Sequence, residues 1–262
     1  MKMIKIILSY LFILSLILLA CTQIKINEEY FLHLKQSNAT YENAKNSVYP
    51  NQNFIFLQRV ISVEDKNGKK DFLPLTSASG IVVKGKKNKV YAFSAGHWCK
   101  SSTDEVSAKN ILSSLNPDVT IEIENNVSFF GRTYPIEIIY IDEKNDICVL
   151  TFASEYAHKV KKIKPAKSYP KIGEKVYTSS APVGIYNHSM RLHFEGYFAG
   201  CETNSLYCFY SIPGTMGSSG SGILDKHGDL ISILDVSIVG FDHITGGTRL
   251  EIIKELYDKF VE

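Results

Sequence analysis

Histidine, aspartate and serine can together transfer an acyl group. In this chain they recur in that order, each beside an apolar, strand-like run. Ser219 lies in Gly214-Thr-Met-Gly-Ser-Ser-Gly-Ser-Gly-Ile-Leu224, a glycine-rich turn between two β-type runs. Glycines there let a hydroxyl stand exposed while backbone N–H groups, those of Gly217 and Ser219, converge on a developing oxyanion. His97 ends the alternating run Val90-Tyr-Ala-Phe-Ser-Ala-Gly-His97, and Asp146 directly precedes Ile147-Cys-Val-Leu150. A serine hydroxyl is a weak nucleophile, so a neutral imidazole must take its proton as it attacks a carbonyl and return it to the leaving group. A carboxylate behind the imidazole fixes its tautomer and stabilises the imidazolium. Acidification that protonates His97 should therefore remove activity. Each residue alone has a plainer explanation: Ser/Gly runs are usually linkers, and an aspartate before a strand is often a turn residue. The conjunction carries the reading.

The elements that must position these groups are β-type. Phe54-Ile-Phe-Leu-Gln-Arg-Val-Ile61, Ser79-Gly-Ile-Val-Val83, Val119-Thr-Ile-Glu-Ile123 and Ile136-Glu-Ile-Ile-Tyr140 read as strands bounded by turn residues. Val106 to Leu115 reads as a short helix or an inserted loop. Further strands are expected near Ile172–Tyr177, Met190–Ala199, Cys208–Ile212, Gly222–Leu224 and Leu230–Val236. Leu250, Ile253, Leu256, Tyr257 and Phe260 fall at helical spacing, which predicts an amphipathic helix at the C-terminal end.

Three stretches, SAGHWC, DEKNDICVL and GSSGSGIL, give the chain its resemblance to chymotrypsin-fold (trypsin-like) serine peptidases of the Deg/HtrA or glutamyl-endopeptidase branches. They stand where that family has Thr-Ala-Ala-His-Cys, Asp-x-x-x-Asp-Ile/Leu-Ala-Val-Leu and Gly-Asn-Ser-Gly-Gly/Ser-Pro-Leu. The resemblance implies an all-β fold of two six-stranded antiparallel Greek-key barrels with a short C-terminal helix. It also implies a triad of His97, Asp146 and Ser219, an oxyanion hole from Gly217 and Ser219, and protein or peptide substrates without a cofactor. The stretch after Ser219 is too short for a PDZ domain. Gly222 departs from the family's proline, and Asp235 falls near where the chymotrypsin branch has a serine that assists the triad aspartate. The substrate pocket would be lined by Pro213, Gly214 and Leu234 to Ile238. Neither an acidic pocket base nor a histidine appears there, so a small or apolar residue before the scissile bond is the default, which an inward-pointing Asp235 would overturn.

With 262 residues, 45% of them hydrophobic, and a formal net charge of +2, the chain has material for a sizeable core and no excess charge pointing to nucleic acid. Three other classes compete with this reading. An α/β-hydrolase elbow needs glycine two residues after the serine, where Ser221 stands, and runs Ser, Asp, His in order. A metal site from His97, Cys99 and Cys148 fits no standard zinc spacing, so no metal is expected. A catalytically inactive binding module on the same fold is the alternative function, although all three triad residues are retained.

The first 20 residues read as a lipoprotein signal peptide: Lys2 and Lys5, an apolar run from Ile6 to Leu19, then Leu18-Leu-Ala-Cys21. Cleavage before Cys21 and acylation of its thiol would anchor the protein extracytoplasmically on a membrane. Residues 21–52 read as a polar tether and 53–262 as the peptidase domain, with barrels at about 53–155 and 168–248 and a helix at about 249–261. Cys201 and Cys208 flank a polar turn between two strand-like runs and could pair across a hairpin. Cys148 is expected to be a free core thiol, able to pair with Cys99 only if their Cα atoms come within about 7 Å.

Overall fold

The computed structural model describes residues 51–262 apart from 101–102, 116–118, 188–189, 204 and 239–240. The stretch expected as a signal peptide, Cys21 and the expected tether up to residue 50 lie outside the described residues. Among those described, no helix is long and apolar enough to cross a membrane.

The N-terminal half is a seven-stranded antiparallel sheet built from β1 (Phe54–Glu64), β2 (Lys70–Lys84), β3 (Val90–Ala95), β4 (Thr120–Phe129), β5 (Arg132–Pro135), β6 (Glu137–Asp142) and β7 (Ile147–Thr151). Its order is β5-β4-β1-β2-β3-β7-β6. The two outermost strands, β5 and β6, are separated in sequence only by Ile136, whose N–H donates to Asn125 O at 3.2 Å. The stretch Arg132–Asp142 is thus one bent strand whose halves pair with β4 and β7, the two sides of the sheet. Six strands in the sequence reading become seven because of this bend.

The C-terminal half closes fully as a six-stranded barrel, in the order β10-β13-β12-β11-β8-β9. Its strands are β8 (Lys175–Ser180), β9 (Leu192–Cys201), β10 (Tyr207–Tyr210), β11 (Gly222–Asp225), β12 (Leu230–Ile238) and β13 (Phe241–Thr248). Helices span Gly96–Cys99, Thr103–Leu115 and Leu250–Phe260. The stretch expected as a helix or a loop after His97 is the second of these.

Alternation along the strands sorts side chains into three cores. Ile55, Leu57, Val82, Ala92, Cys148 and Leu150 fill the first unit. Their sequence neighbours Phe54, Phe56, Ile81, Phe93, Ile147 and Val149 point the other way, into a second core shared with Leu224, Leu230, Ile233 and the helix residues Ile253, Leu256 and Tyr257. Val176, Phe198, Tyr210, Ile223, Ile231 and Leu250 fill the closed barrel. An unbroken apolar run such as Phe54–Leu57 is what a strand buried on both faces requires. Each such side chain contributes about 1.5–3 kcal/mol on burial, so the shared core fixes the seam where both halves meet. Tyr169 joins the C-terminal helix to this frame: its Oη accepts the Leu250 N–H at 2.8 Å and donates to Glu251 at 2.8 Å. That satisfies one of the backbone donors a helix start leaves open.

Candidate active site

His97 sits in the one-turn helix that begins where β3 ends. The β3–β7 ladder pairs Ala95 with Ile147, so the next residue on one strand meets the preceding residue on the other. Gly96 N–H donates to Asp146 O at 2.8 Å. A Cβ on Gly96 would stand 2.9 Å from the Asp146 carbonyl carbon and from Ile147 N, so the approach requires glycine. Asp146 has φ 50°, the left-handed conformation that aspartate tolerates better than most residues. In that pose its carboxylate grips His97 twice, accepting the backbone N–H on Oδ1 at 2.6 Å and facing Nδ1 with Oδ2 at 2.7 Å. Nδ1 therefore carries the hydrogen, and Nε2 is left to act as a base. The His97 side chain is 50% exposed and that of Asp146 only 19%, which suits a base that must reach substrate and an acid that must not. Asp142, a neighbouring carboxylate on this turn, is spent on the turn itself, accepting from Lys144 N, Asn145 N and Asn145 Nδ2.

Two devices hold the histidine segment from behind. Cys99 and Cys148 form a disulfide with their Cα atoms 6.4 Å apart, which corrects the expectation of a free thiol at Cys148. The reason is the same close approach: each cysteine lies two residues beyond a member of the His97–Asp146 pair. The bond also removes both thiolates from any metal site. Arg59, fully buried in β1, donates to Asn125 Oδ1 at 2.8 Å, Trp98 O at 2.5 Å and Lys100 O at 3.2 Å, and lies over the Trp98 ring. It satisfies carbonyls at the end of the one-turn helix with a planar fork that lysine cannot reproduce. An arginine inside the apolar run of β1 was the available signal, and sequence reasoning passed over it.

Ser219 stands on a tight turn between Gly217 (φ 87°) and Gly220 (φ 88°). A Cβ on Gly217 would strike the Ala181 carbonyl, and one on Gly220 would strike Ser79 O and Ser94 Oγ and come within 3.0 Å of Ala95 N. The residue after Ser219 is thereby seated against the end of the strand that delivers His97. Ser79, on β2, is the rivet between the halves: its N–H donates to Ser219 O at 2.9 Å, and its hydroxyl donates to Gly217 O at 2.8 Å and accepts from Ala181 N at 2.9 Å. No sequence motif marked it. Within the turn, Ser218 N–H is spent on Thr215 O and Gly220 N–H on Leu234 O. Among the described residues no hydrogen bond engages the N–H of Gly217 or Ser219.

Of the expected pocket residues, Leu234 is buried in the closed-barrel core and Asp235 is buried with its carboxyl engaged by Thr248 rather than lining the space beside Gly214, while Ser237 and Ile238 are exposed. The floor beside Gly214 is occupied by the Thr245 methyl, which a Cβ at that glycine would strike. Cys201 and Cys208, paired across β9 and β10, form a second disulfide. The described residues contain no cluster of ligands suited to a metal.

The two β units, the polar seam between them and the paired histidine and aspartate define the class of protein. The trypsin-like peptidase domain profile matches residues 78–233, a span running from the Ser79 rivet to β12, and the chain belongs to this family of chymotrypsin-fold serine peptidases. Among curated proteins, none matches the chain.

Proposed function

We propose that this protein is a serine endopeptidase acting through His97, Asp146 and Ser219. The observation that carries the reading is the two-point grip of Asp146 on His97, at 2.6 and 2.7 Å, across from a serine turn riveted to the same unit by Ser79. Ser219 Oγ attacks the scissile carbonyl as His97 Nε2 takes its proton, and the carbonyl oxygen becomes an oxyanion received by the N–H groups of Gly217 and Ser219. Collapse breaks the C–N bond, and His97 returns the proton to the leaving amine. Water, deprotonated by the same nitrogen, then releases the acyl group and regenerates the serine. Asp146, facing Nδ1 at 2.7 Å, stabilises the imidazolium whenever it forms.

Because the Thr245 methyl fills the space beside Gly214 and Asp235 is buried against Thr248, the preferred residue before the scissile bond is small and uncharged. Lipid attachment at Cys21 would hold the domain on the extracytoplasmic face of a membrane. The two disulfides support such a compartment, since they persist where thiols are not kept reduced.

Labelling by a fluorophosphonate and cleavage of an unfolded protein test the chemistry. Both should be present in residues 22–262 and absent in Ser219→Ala. A folded wild type that neither labels nor cleaves would make this an inactive binding module. Incorporation of labelled fatty acid, lost in Cys21→Ala, tests the anchor.

A further inference from the structure

Asp235 is a carboxyl group with a place in the fold but no part in the steps above. It is 4% exposed on β12, and its Oδ1 has no hydrogen-bond partner among the described residues. Its Oδ2 lies 2.5 Å from Thr248 Oγ1, and the same hydroxyl lies 3.4 Å from the carbonyl oxygen of Asn145. Asn145 immediately precedes Asp146. One hydroxyl thus stands between two oxygens, and a threonine has a single hydrogen to give. Both contacts are separate two-centre hydrogen bonds only if the second hydrogen comes from the carboxyl group: Asp235 donates to Thr248, and Thr248 donates to Asn145. We propose that Asp235 is a positioning residue for the peptidase reaction, holding the backbone of the Asn145–Asp146 turn through the Thr248 hydroxyl as a neutral hydrogen-bond donor.

The surroundings agree with an un-ionised acid. Burial, reinforced by the like charge of Asp146, pushes the Asp235 carboxyl well above the ordinary carboxylate range, against the opposing pull of the Thr248 hydroxyl and backbone N–H, which would donate to the ionised form. Among the described residues, the ionisable groups that act on it or feel its charge are Asp146 from the β6–β7 turn and Tyr207 and Tyr210 from β10, whose phenols the Asp235 charge would raise further. None of them is a cation that would favour the anion. The turn it steadies is the one that sets Asp146 in its left-handed conformation, so a loosened Asn145 carbonyl would be felt as misdirection of the carboxylate toward His97. The proposal rests on the triad reading for its catalytic consequence, but its hydrogen count can be tested without turnover.

Two measurements separate the possibilities. Kinetically, Asp235→Ala should lower kcat about tenfold, the effect of one lost buried hydrogen bond, with KM unchanged because no substrate is touched. Asp235→Asn, whose amide also donates, should recover most of that loss. Thr248→Val should match Asp235→Ala and Thr248→Ser should match wild type, which keeps the test open if the alanine variant does not fold. Equal loss in the asparagine and alanine variants, or no loss in alanine and valine variants alike, overturns the proposal. The second measurement is thermal melting between pH 4 and 8. Because the folded-state carboxyl titrates above its unfolded value, wild type is unburdened below about pH 4 and loses stability as pH rises toward the folded value. Asparagine has no such charge, so its melting temperature should gain on wild type steadily with pH. A gap that stays constant or shrinks rules out the neutral donor even if the enzyme proves inactive. A wild type that fails to label while the gap widens convicts the triad reading alone.

Discussion

Removing the Ser79 hydroxyl should do more damage than one missing oxygen atom suggests. In Ser79→Ala the Ala181 N–H loses its acceptor in a site where Ala181 is fully buried, and the Gly217 carbonyl loses a donor. An unsatisfied buried donor costs about 1–3 kcal/mol and the lost bond to Gly217 about 1 kcal/mol more, so about 2–4 kcal/mol is expected. In a domain of this size that corresponds to a melting temperature lower by roughly 5–15 °C. Gly217 is one of the two residues assigned to receive the oxyanion, and its displacement should cost kcat between about tenfold and the roughly 10²-fold of a donor lost outright. Ser221→Ala is the control. That hydroxyl only donates, to Ser218 O at 2.7 Å, and its removal strands no N–H, so about 1 kcal/mol is expected. Urea denaturation of both variants with parallel kinetics on a small chromogenic ester decides the matter. A Ser79→Ala protein within about 0.5 kcal/mol of Ser221→Ala, with kcat intact, would refute the rivet.

The disulfides should differ in worth because their loops do. Closing 49 residues between Cys99 and Cys148 contributes about 4 kcal/mol in the chain-entropy model, and closing seven between Cys201 and Cys208 about 2.5 kcal/mol, so a Cys99→Ala/Cys148→Ala double variant should be the less stable of the two and the one with impaired kcat. His193, paired to Ser179 Oγ at 2.6 Å, is held below its ordinary value by burial and by Arg191. The folded chain then binds fewer protons than the unfolded one below about pH 6.5, so stability present above that pH is lost on acidification, and His193→Gln should flatten that limb of a melting profile. Thr245→Ala should widen a peptide-library profile toward larger residues before the scissile bond; an unchanged profile would mean that the Thr245 methyl does not set the preference.

What could be read from the chain and what could not divide along the range of the interactions. The all-β class, the two units and the helical face of Leu250–Phe260 depend on periodicity and turn residues, which are local. His97, Asp146 and Ser219 stood out because their flanks, SAGHWC, DEKNDICVL and GSSGSGIL, are contiguous strings. Strand β4 continues through Glu124, Asn125 and Asn126 to Phe129, well beyond the apolar run that announced it, because pairing with β1 overrides the polar propensity of those residues. The Cys99–Cys148 bond depends on the register of β3 with β7, and the roles of Arg59 and Ser79 on carbonyls contributed by residues 39 to 138 positions away. Asp235 was visible as an unusual residue, but its direction was fixed only by Thr248 on the neighbouring strand.

A peptidase is itself a polypeptide exposed to peptidases, and here the Cys99–Cys148 bond acquires a different meaning. Everything from Cys99 to Cys148, including the helix Thr103–Leu115, strands β4 to β6 and Asp146 itself, lies inside the covalent ring that this bond closes. One cut between Lys100 and Asp146 yields a two-chain molecule rather than two fragments, with His97 and Asp146 still tethered two residues from a common link. Damage in this region would pass unseen on a non-reducing gel and appear only when the disulfide is opened.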